Sequence, residues 1–346
     1  RSLFLSMQEL SKGGNRPAGH PKTEFKKIAV VGAGLMGAGI AYVQAKAGIP
    51  TVLVDVSKEN AEKGKDYSRR LVEKAVSRGK STQEKGDALL DLITTTDNYD
   101  DVKGADLVIE AVFENVELKA KITKMAEAVL DKDAVFGSNT STLPITGLAE
   151  ASERPENFIG IHFFSPVERM GLVEIISGEK TSEATLAKAV DYVLAIRKTP
   201  IAVNDSRGFY TSRCFGTYTR EGMEMLAEGI KPAIIENVGR QSGMPMGPLE
   251  VSDSVGLDTA LKVTRATAEA AGIDLQTDDR TQFLAWLVED QERVGRKAGK
   301  GFYDYNEKGK PERLWPDLNT QLEVKVDECP PDLKKELTSR FLIRQA

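Results

Sequence analysis

Ile28-Ala29-Val30-Val31-Gly32-Ala33-Gly34-Leu35-Met36-Gly37 is the stretch that decides the fold. Four apolar, mostly β-branched residues predict a short buried strand. The glycines that follow are spaced G-x-G-x-x-G, and Leu35–Ala47 continues as an apolar helix. Gly32 permits a tight turn, Gly34 lets the backbone approach a pyrophosphate, and Gly37 lets the helix pack closely on the strand. The free N–H groups and positive dipole end of that helix favour phosphate. The motif alone is weak. It gains force because the next run, Thr51-Val52-Leu53-Val54-Asp55, ends in an acid. A carboxylate there accepts hydrogen bonds from the adenosine ribose and repels a 2′-phosphate, so NAD is expected rather than NADP.

From Lys26 onward strand and helix signals alternate. Further strands are expected at Ile93–Thr95, Leu107–Ala111, Ala134–Ser138, Phe158–Phe163, Leu172–Ile176 and Ile201–Val203. Helices fill the gaps, including Glu59–Arg78 and Glu117–Leu130, and Ser81-Thr82-Gln83-Glu84 reads as a capping box opening another. Alternation of this kind predicts an α/β fold, a parallel, doubly wound Rossmann-type domain over residues 25–204. Residues 205–305 are expected to form an all-helical domain. Residues 1–24 read as a short amphipathic helix (Leu3, Phe4, Met7, Leu10) and a flexible Gly-Gly-Asn-Arg-Pro leader. Residues 306–331 suit a linker, and Asp332–Ile343 starts an amphipathic helix with nothing after it to pack on. Its Leu337-Thr338-Ser339-Arg340-Phe341 echoes Tyr210-Thr211-Ser212-Arg213-Cys214-Phe215, so residues 306–346 are expected to open a truncated second copy of the helical unit.

The totals exclude several classes. The chain has 346 residues, 40% hydrophobic and 29% charged, with a net charge of −5. A mildly acidic total argues against nucleic acid as the main partner. Ile28–Ala45 is uncharged, but its glycines mark it as a strand–turn–helix rather than a membrane span. Cys214 and Cys329 have neither metal nor redox spacing, so no metal site is expected and a reducing, cytoplasmic setting is.

Chemistry concentrates in residues 158–176. His162 and Glu174 each interrupt an apolar, β-rich run, and such groups are costly to desolvate without a partner. Two short strands joined by a turn at Ser165-Pro166 would let each partner the other. The other histidine, His20, lies in the leader, so His162 is the one imidazole available to a folded body near neutral pH. A histidine–glutamate pair buried for structure alone is the competing explanation. At the end of the fourth strand, Glu114 and Lys119 either reach the nicotinamide half or are a helix-start acid and a surface lysine.

Coenzyme phosphates call for local positive charge. Over residues 58–80, Lys and Arg outnumber Asp and Glu eight to four. Lys63, Tyr67, Arg70, Lys74 and Arg78 share one helical stripe, with Ser68, Leu71, Val72 and Ala75 on the sheet-facing one. For the coenzyme A substrate that the resemblance given next implies, Ser68, Arg70 and Lys74 are the expected contacts of this helix. The alternative is a solvated helix face.

Several motifs in fixed order resemble the L-3-hydroxyacyl-CoA dehydrogenases. They are Ser138-Asn139-Thr140-Ser141-Thr142, Glu153-Arg154-Pro155-Glu156-Asn157-Phe158, His162-Phe163-Phe164-Ser165-Pro166-Val167 and Leu172-Val173-Glu174-Ile175-Ile176. Pro245-Met246-Gly247-Pro248-Leu249-Glu250 and Val255-Gly256-Leu257-Asp258-Thr259 resemble that family's helical C-terminal domain. The likeness runs from about Lys26 to Tyr305 and is nearest the dehydrogenase part of multifunctional fatty-acid oxidation proteins. It implies an acyl-CoA substrate, a hydratase half before this segment, and a thiolase subunit as partner. It implies NAD contacts at Met36, Asp55, Val112, Phe113, Glu114, Lys119, Ser141 and Ser165. Ser165 stands where the family often has Asn, and Ser212 where it commonly has a substrate-contacting Asn.

The implied reaction oxidises a 3-hydroxyacyl-CoA to the 3-ketoacyl-CoA. His162 would take the hydroxyl proton, Glu174 would orient the ring, Ser141 would donate to the reacting oxygen, and Ser212 would hold the thioester side. A free-standing 3-hydroxybutyryl-CoA dehydrogenase and a non-catalytic NAD(H)-binding protein are the competing readings.

Overall fold

The computed structural model describes residues 2–275 and 278–345. Arg1 and Ala346, the ends of the leader and of the last expected segment, lie outside the described residues, as does the side chain of Leu3. The chain divides into two compact units, Arg1–Ser212 and Arg213–Ala346.

In chain order the first unit contains α1 (Ser2–Ser11), β1 (Ile28–Val31), α2 (Leu35–Lys46), β2 (Thr51–Val54), α3 (Lys58–Ser77), α4 (Gln83–Asp91) and β3 (Ile93–Thr96). There follow β4 (Leu107–Glu110), α5 (Val116–Glu127), β5 (Val135–Ser138), α6 (Ile145–Ala149), β6 (Phe158–Phe163), β7 (Leu172–Ser177), α7 (Glu183–Ala195) and β8 (Thr199–Asn204). The strands form one sheet in the order β3-β2-β1-β4-β5-β6-β7-β8. β1, β2, β4 and β5 are buried along their whole length, and apart from Thr51, Glu110 and Ser138 at their ends they carry no polar side chain. Alternate residues feed two cores: Ile28 and Val30 pack on one face of the sheet, Ala29 and Val31 on the other.

The sheet is parallel from β3 through β6, as the doubly wound expectation has it, and the two strands expected to be joined by a turn at Ser165-Pro166 pair as neighbours. β7 runs antiparallel to β6, and β8 runs parallel to β7. The short connection over residues 164–171 cannot carry a parallel crossover, which needs a dozen or more residues.

Two local expectations change. Thr82, not Ser81, caps α4: its hydroxyl accepts the Lys85 N–H at 3.3 Å, which leaves Glu84 one position too early for a reciprocal box. The leader expected to be flexible is anchored instead. Arg16 donates to both carboxylate oxygens of Asp191 at 2.7 and 3.0 Å, and to the carbonyls of Pro17, His20 and Pro21. The Thr23 N–H donates to the same carboxylate at 2.9 Å. Asp191 is 3% exposed and sits on α7, too far along the sequence for local pattern to link it to Arg16.

The second unit contains α8 (Thr211–Ala227, which starts in the first), α9 (Pro232–Gln241), α10 (Pro248–Val255), α11 (Leu257–Ala271), α12 (Asp279–Ala285), β9 (Tyr303–Tyr305), β10 (Pro311–Leu314), α13 (Leu318–Gln321) and α14 (Pro331–Gln345). It is helical except for the β9–β10 hairpin, which replaces the expected linker after residue 305. α14 does have something to pack on. Leu337 and Phe341 are fully buried in this unit's own core, and Phe341 lies 5.0 Å from the Tyr218 ring. Arg340 pairs with Glu221 and Glu228. The apolar face of α14 is thus covered within the unit.

Candidate active site

β1 ends at the glycine turn. Gly32 has φ +101°, and a Cβ there would come within 2.7 Å of the Ala111 carbonyl oxygen, just beyond β4. A Cβ at Gly37 would lie 1.7 Å from the Gly32 carbonyl oxygen. Gly34, the N-cap of α2, is different: a Cβ there meets nothing within 4 Å. Two of these glycines therefore serve packing, while the third leaves open room at a helix N-terminus, which suits a pyrophosphate. The crevice lies between β1 and β4, where the strand order reverses.

Asp55 follows β2 and is half-buried. Its carboxylate accepts the Ala33 N–H at 2.7 Å and the Val56 N–H at 2.8 Å, and Asn60 stands at 3.4 Å. It thus touches the glycine turn itself. Met36 is half-buried at the start of α2, Val112 is half-buried after β4, and Phe113 is 86% exposed beside it. These residues fit a dinucleotide: open backbone, a ribose-side acid, and an uncovered apolar ring.

Lys119 is not the surface lysine of the competing reading. It is 2% exposed on α5, and its Nζ donates to both oxygens of Glu110 at 2.8 and 3.0 Å. Glu114 stands 3.4 Å from the same Nζ and accepts from the Thr140 hydroxyl and the Ser141 N–H at 2.8 and 2.7 Å. Ser141 itself is exposed, just past β5.

His162 and Glu174 are direct cross-strand partners in the β6–β7 register. The His162 Nδ1 to Glu174 Oε2 distance is 2.7 Å, with the ring 6% and the acid 0% exposed. Glu174 has further partners that the sequence reading missed. Its Oε1 accepts the N–H groups of Tyr210 and Thr211 at 3.1 and 2.8 Å, and its Oε2 accepts the Thr211 hydroxyl at 2.8 Å. Burial alone would push this carboxyl up. The hydrogen bonds from His162 and Thr211 outweigh burial and hold it below the usual range. Gly208 and Phe209 both have positive φ, +78° and +50°, which turns the chain so that Tyr210 and Thr211 present their N–H groups to the acid. A buried phenylalanine at positive φ is strained, and such strain gathers at functional sites. Phe164 and Phe209 flank the imidazole at 4.5 and 6.0 Å. Ser212 follows Thr211 directly and is half-buried.

Ser165 is exposed in the β6–β7 turn. That turn is held from two sides. The buried Lys198 donates to the Val167 carbonyl at 2.6 Å and to that of Met170, and Tyr67 of α3 donates to Glu168 at 2.8 Å. On α3, Lys63 is paired with Glu59 at 2.7 Å, while Arg70, Lys74 and Arg78 are exposed. Ser68 needs correction as a substrate contact. It is 1% exposed and packed inward, because it lies on the sheet-facing stripe and not on the basic one.

Residues missed by the sequence reading were Glu110, Asn139 and Thr211. Glu110 did carry a signal, a charge closing the apolar run Leu107-Val108-Ile109, of the same kind that marked His162 and Glu174.

Residues 27–206 match the NAD-binding domain of 3-hydroxyacyl-CoA dehydrogenase, and residues 208–305 match its C-terminal domain. The chain is 39% identical over 315 residues to a fatty acid oxidation complex subunit alpha of Shewanella frigidimarina, covering 91% of this chain and 44% of that protein. It is 42% identical over 312 residues to the Idiomarina loihiensis protein of the same name, covering 89% and 43%. It therefore spans less than half the length of these relatives. Among solved structures, (S)-3-hydroxybutyryl-CoA dehydrogenase from Ralstonia eutropha matches with TM-score 0.74 and 34% identity over 82% of this chain and all of that one. The dehydrogenase part of a Caenorhabditis elegans multifunctional enzyme matches with TM-score 0.67 and 25% identity, over 94% and 73%.

Proposed function

Since the chain belongs to the 3-hydroxyacyl-CoA dehydrogenase family, we propose that it oxidises an L-3-hydroxyacyl-CoA to the 3-ketoacyl-CoA. The 2.7 Å contact between His162 Nδ1 and Glu174 Oε2 carries this reading, because it sits at the sheet edge that also bears the glycine turn.

NAD, when bound, supplies the acceptor for the C3 hydride. The side chains do the rest. With Nδ1 engaged by Glu174, Nε2 is the ring atom that takes the hydroxyl proton. Glu174, kept anionic by Thr211 and Tyr210, steadies the imidazolium that forms. General-base help of this kind is worth about 10²–10⁴ in rate. Ser141 donates to the reacting oxygen, and Ser212 holds the thioester side. Met36, Asp55, Val112, Phe113, Glu114, Lys119 and Ser165 line the dinucleotide, and Arg70 and Lys74 border the coenzyme A phosphates.

The Shewanella frigidimarina and Idiomarina loihiensis relatives are named as subunits of a fatty acid oxidation complex, and this chain covers 44% and 43% of them. That supports a role in β-oxidation as the dehydrogenase portion of a larger polypeptide, with a hydratase half, a thiolase partner and a cytoplasmic location. No described helix is long and apolar enough to cross a membrane. A second reading, a free-standing 3-hydroxybutyryl-CoA dehydrogenase, is favoured by full coverage of the Ralstonia eutropha enzyme. Relative rates on acetoacetyl-CoA and on long-chain 3-ketoacyl-CoA separate the two.

The deciding experiment follows NADH absorbance with acetoacetyl-CoA. The chain is expected to turn over, and His162→Gln to keep NADH binding while losing at least about 10²-fold in kcat. Near-normal turnover in that variant removes His162 from the chemistry. Binding without turnover in the unaltered chain favours the non-catalytic alternative.

A further inference from the structure

Four consecutive residues leaving β5 are each tied down. The Ser138 hydroxyl donates to Glu110 Oε2 at 2.8 Å. The Asn139 N–H donates to the Glu110 carbonyl at 2.7 Å, and its side-chain oxygen accepts the Phe163 N–H at 3.0 Å, one residue past His162. Thr140 and Ser141 both donate to Glu114 Oε1. The two carboxylates share one cation. Lys119 Nζ is seated on both oxygens of Glu110 and stands 3.4 Å from Glu114 Oε2.

Glu110 and Lys119 are 1% and 2% exposed. An ammonium withdrawn from water needs a fixed counter-charge. Glu110 has no freedom to move, since its Oε1 also accepts the Val112 N–H at 2.8 Å. It therefore fixes the place of the Lys119 ammonium, and the ammonium fixes the Glu114 carboxylate that grips the Ser141 loop. We propose that Glu110 is a positioning residue: acting through Lys119 and Glu114, it holds Ser141 in register with His162. The inference rests on the reading of Ser141 as donor to the reacting oxygen.

Removing the negative charge of Glu110 leaves Glu114 as the remaining anion in contact with Lys119. The ammonium then draws on Glu114, and the Ser141 loop loses its hold. Small misplacement of a catalytic group costs rate more than binding, so Glu110→Gln is expected to lower kcat about 10- to 10²-fold while leaving the KM for acetoacetyl-CoA within about twofold.

The test is a double-mutant cycle of Glu110→Gln with Ser141→Ala, read in kcat with acetoacetyl-CoA and NADH. The expected result is that each single variant is slow and that the double variant is no slower than Ser141→Ala. Full additivity overturns the proposal, as does an Glu110→Gln enzyme with normal kcat beside an impaired Ser141→Ala. A raised KM for NADH with kcat intact also overturns it, and assigns Glu110 to cofactor binding instead. Normal kcat in Ser141→Ala is a different failure: it removes the underlying role of Ser141 and the proposal with it. Should Glu110→Gln fail to fold, Ser138→Ala puts the same question, because it removes one bond to Glu110 without stranding a charge. A severalfold fall in kcat that vanishes in the Ser141→Ala background supports the proposal, and an additive or absent effect overturns it.

Discussion

Thr211 holds Glu174 twice, through its backbone N–H to Oε1 and its hydroxyl to Oε2, both at 2.8 Å. Oε2 is also the oxygen that meets His162. The acid that steers the imidazole is thus itself steered by the first residue of a helix, whose N–H has no partner within that helix. Thr211→Val keeps shape and backbone but deletes the hydroxyl. A hydrogen bond to a charged group is worth about 1.5–3 kcal/mol, so kcat should fall roughly 10-fold or more with folding intact. Steady-state kinetics and a melting curve check this, and an unchanged kcat would show that the hydroxyl is dispensable.

The glycines of the turn should separate by function. Gly37→Ala drives a Cβ into the Gly32 carbonyl and should lower Tm and binding together. Gly34→Ala meets no protein atom, so Tm should hold. NADH affinity should nevertheless drop, by about 10-fold for each 1.4 kcal/mol of lost phosphate contact. Calorimetric titration beside thermal unfolding distinguishes them; normal NADH affinity in Gly34→Ala would place the pyrophosphate elsewhere.

The basic stripe of α3 makes a kinetic prediction. Exposed charge contacts are worth about 0.2–1 kcal/mol each, so an Arg70→Ala/Lys74→Ala enzyme should show a KM for acyl-CoA raised about 3- to 10-fold. Its kcat should be unaltered. Unchanged KM would return this helix face to the solvent.

Asp253 in the helical unit accepts the N–H groups of Phe302 and Tyr303 at 2.7 and 2.9 Å and the Tyr305 hydroxyl at 2.9 Å. Burial nonetheless pushes its carboxyl up to about 6. The folded state then holds a proton that the unfolded state has released, so this group's contribution to stability falls as pH rises from near 4 to about 6. Two pH units correspond to about 3 kcal/mol. Glu174 acts in the opposite sense: its lowered carboxyl contributes fully above the ordinary glutamate range, and that contribution is lost as pH falls through its folded value. Thermal unfolding of Asp253→Asn across this range should lack the downward slope with rising pH. A slope equal to that of the unaltered chain would contradict the assignment.

Arg16→Ala strips the buried Asp191 of its cation. Breaking a buried pair from one side costs about 3–5 kcal/mol, so unfolding in urea should shift by that order. Limited proteolysis should also open cuts between residues 12 and 25. An unshifted transition would mean that the leader contributes nothing to the fold.

Much of the site could be read directly. The pairing of His162 with Glu174 follows from two short apolar runs whose only misfits face each other, and the β6–β7 register puts them opposite. The glycine turn and Asp55 were equally visible, because the motif and the acid that closes the next strand are local. Lys119 was not. A lysine in a helix following a strand looks like surface, and only the inward turn of α5 onto Glu110 shows otherwise. Ser68, already on the sheet-facing stripe by helical spacing, is buried there and not open to a ligand as expected of a substrate contact.

Periodicity, chain punctuation and misfit charges are properties of neighbouring residues. From them alone came the alternating strands and helices, the dinucleotide turn, and the imidazole with its acid. Which distant partner a charge finds is a property of packing. Arg16 with Asp191, Glu110 with Lys119, and Leu337 and Phe341 with the core of the helical unit all join residues that no local pattern links. The physical reason is that a buried charge or apolar face must be satisfied somewhere, while the folded chain alone determines where.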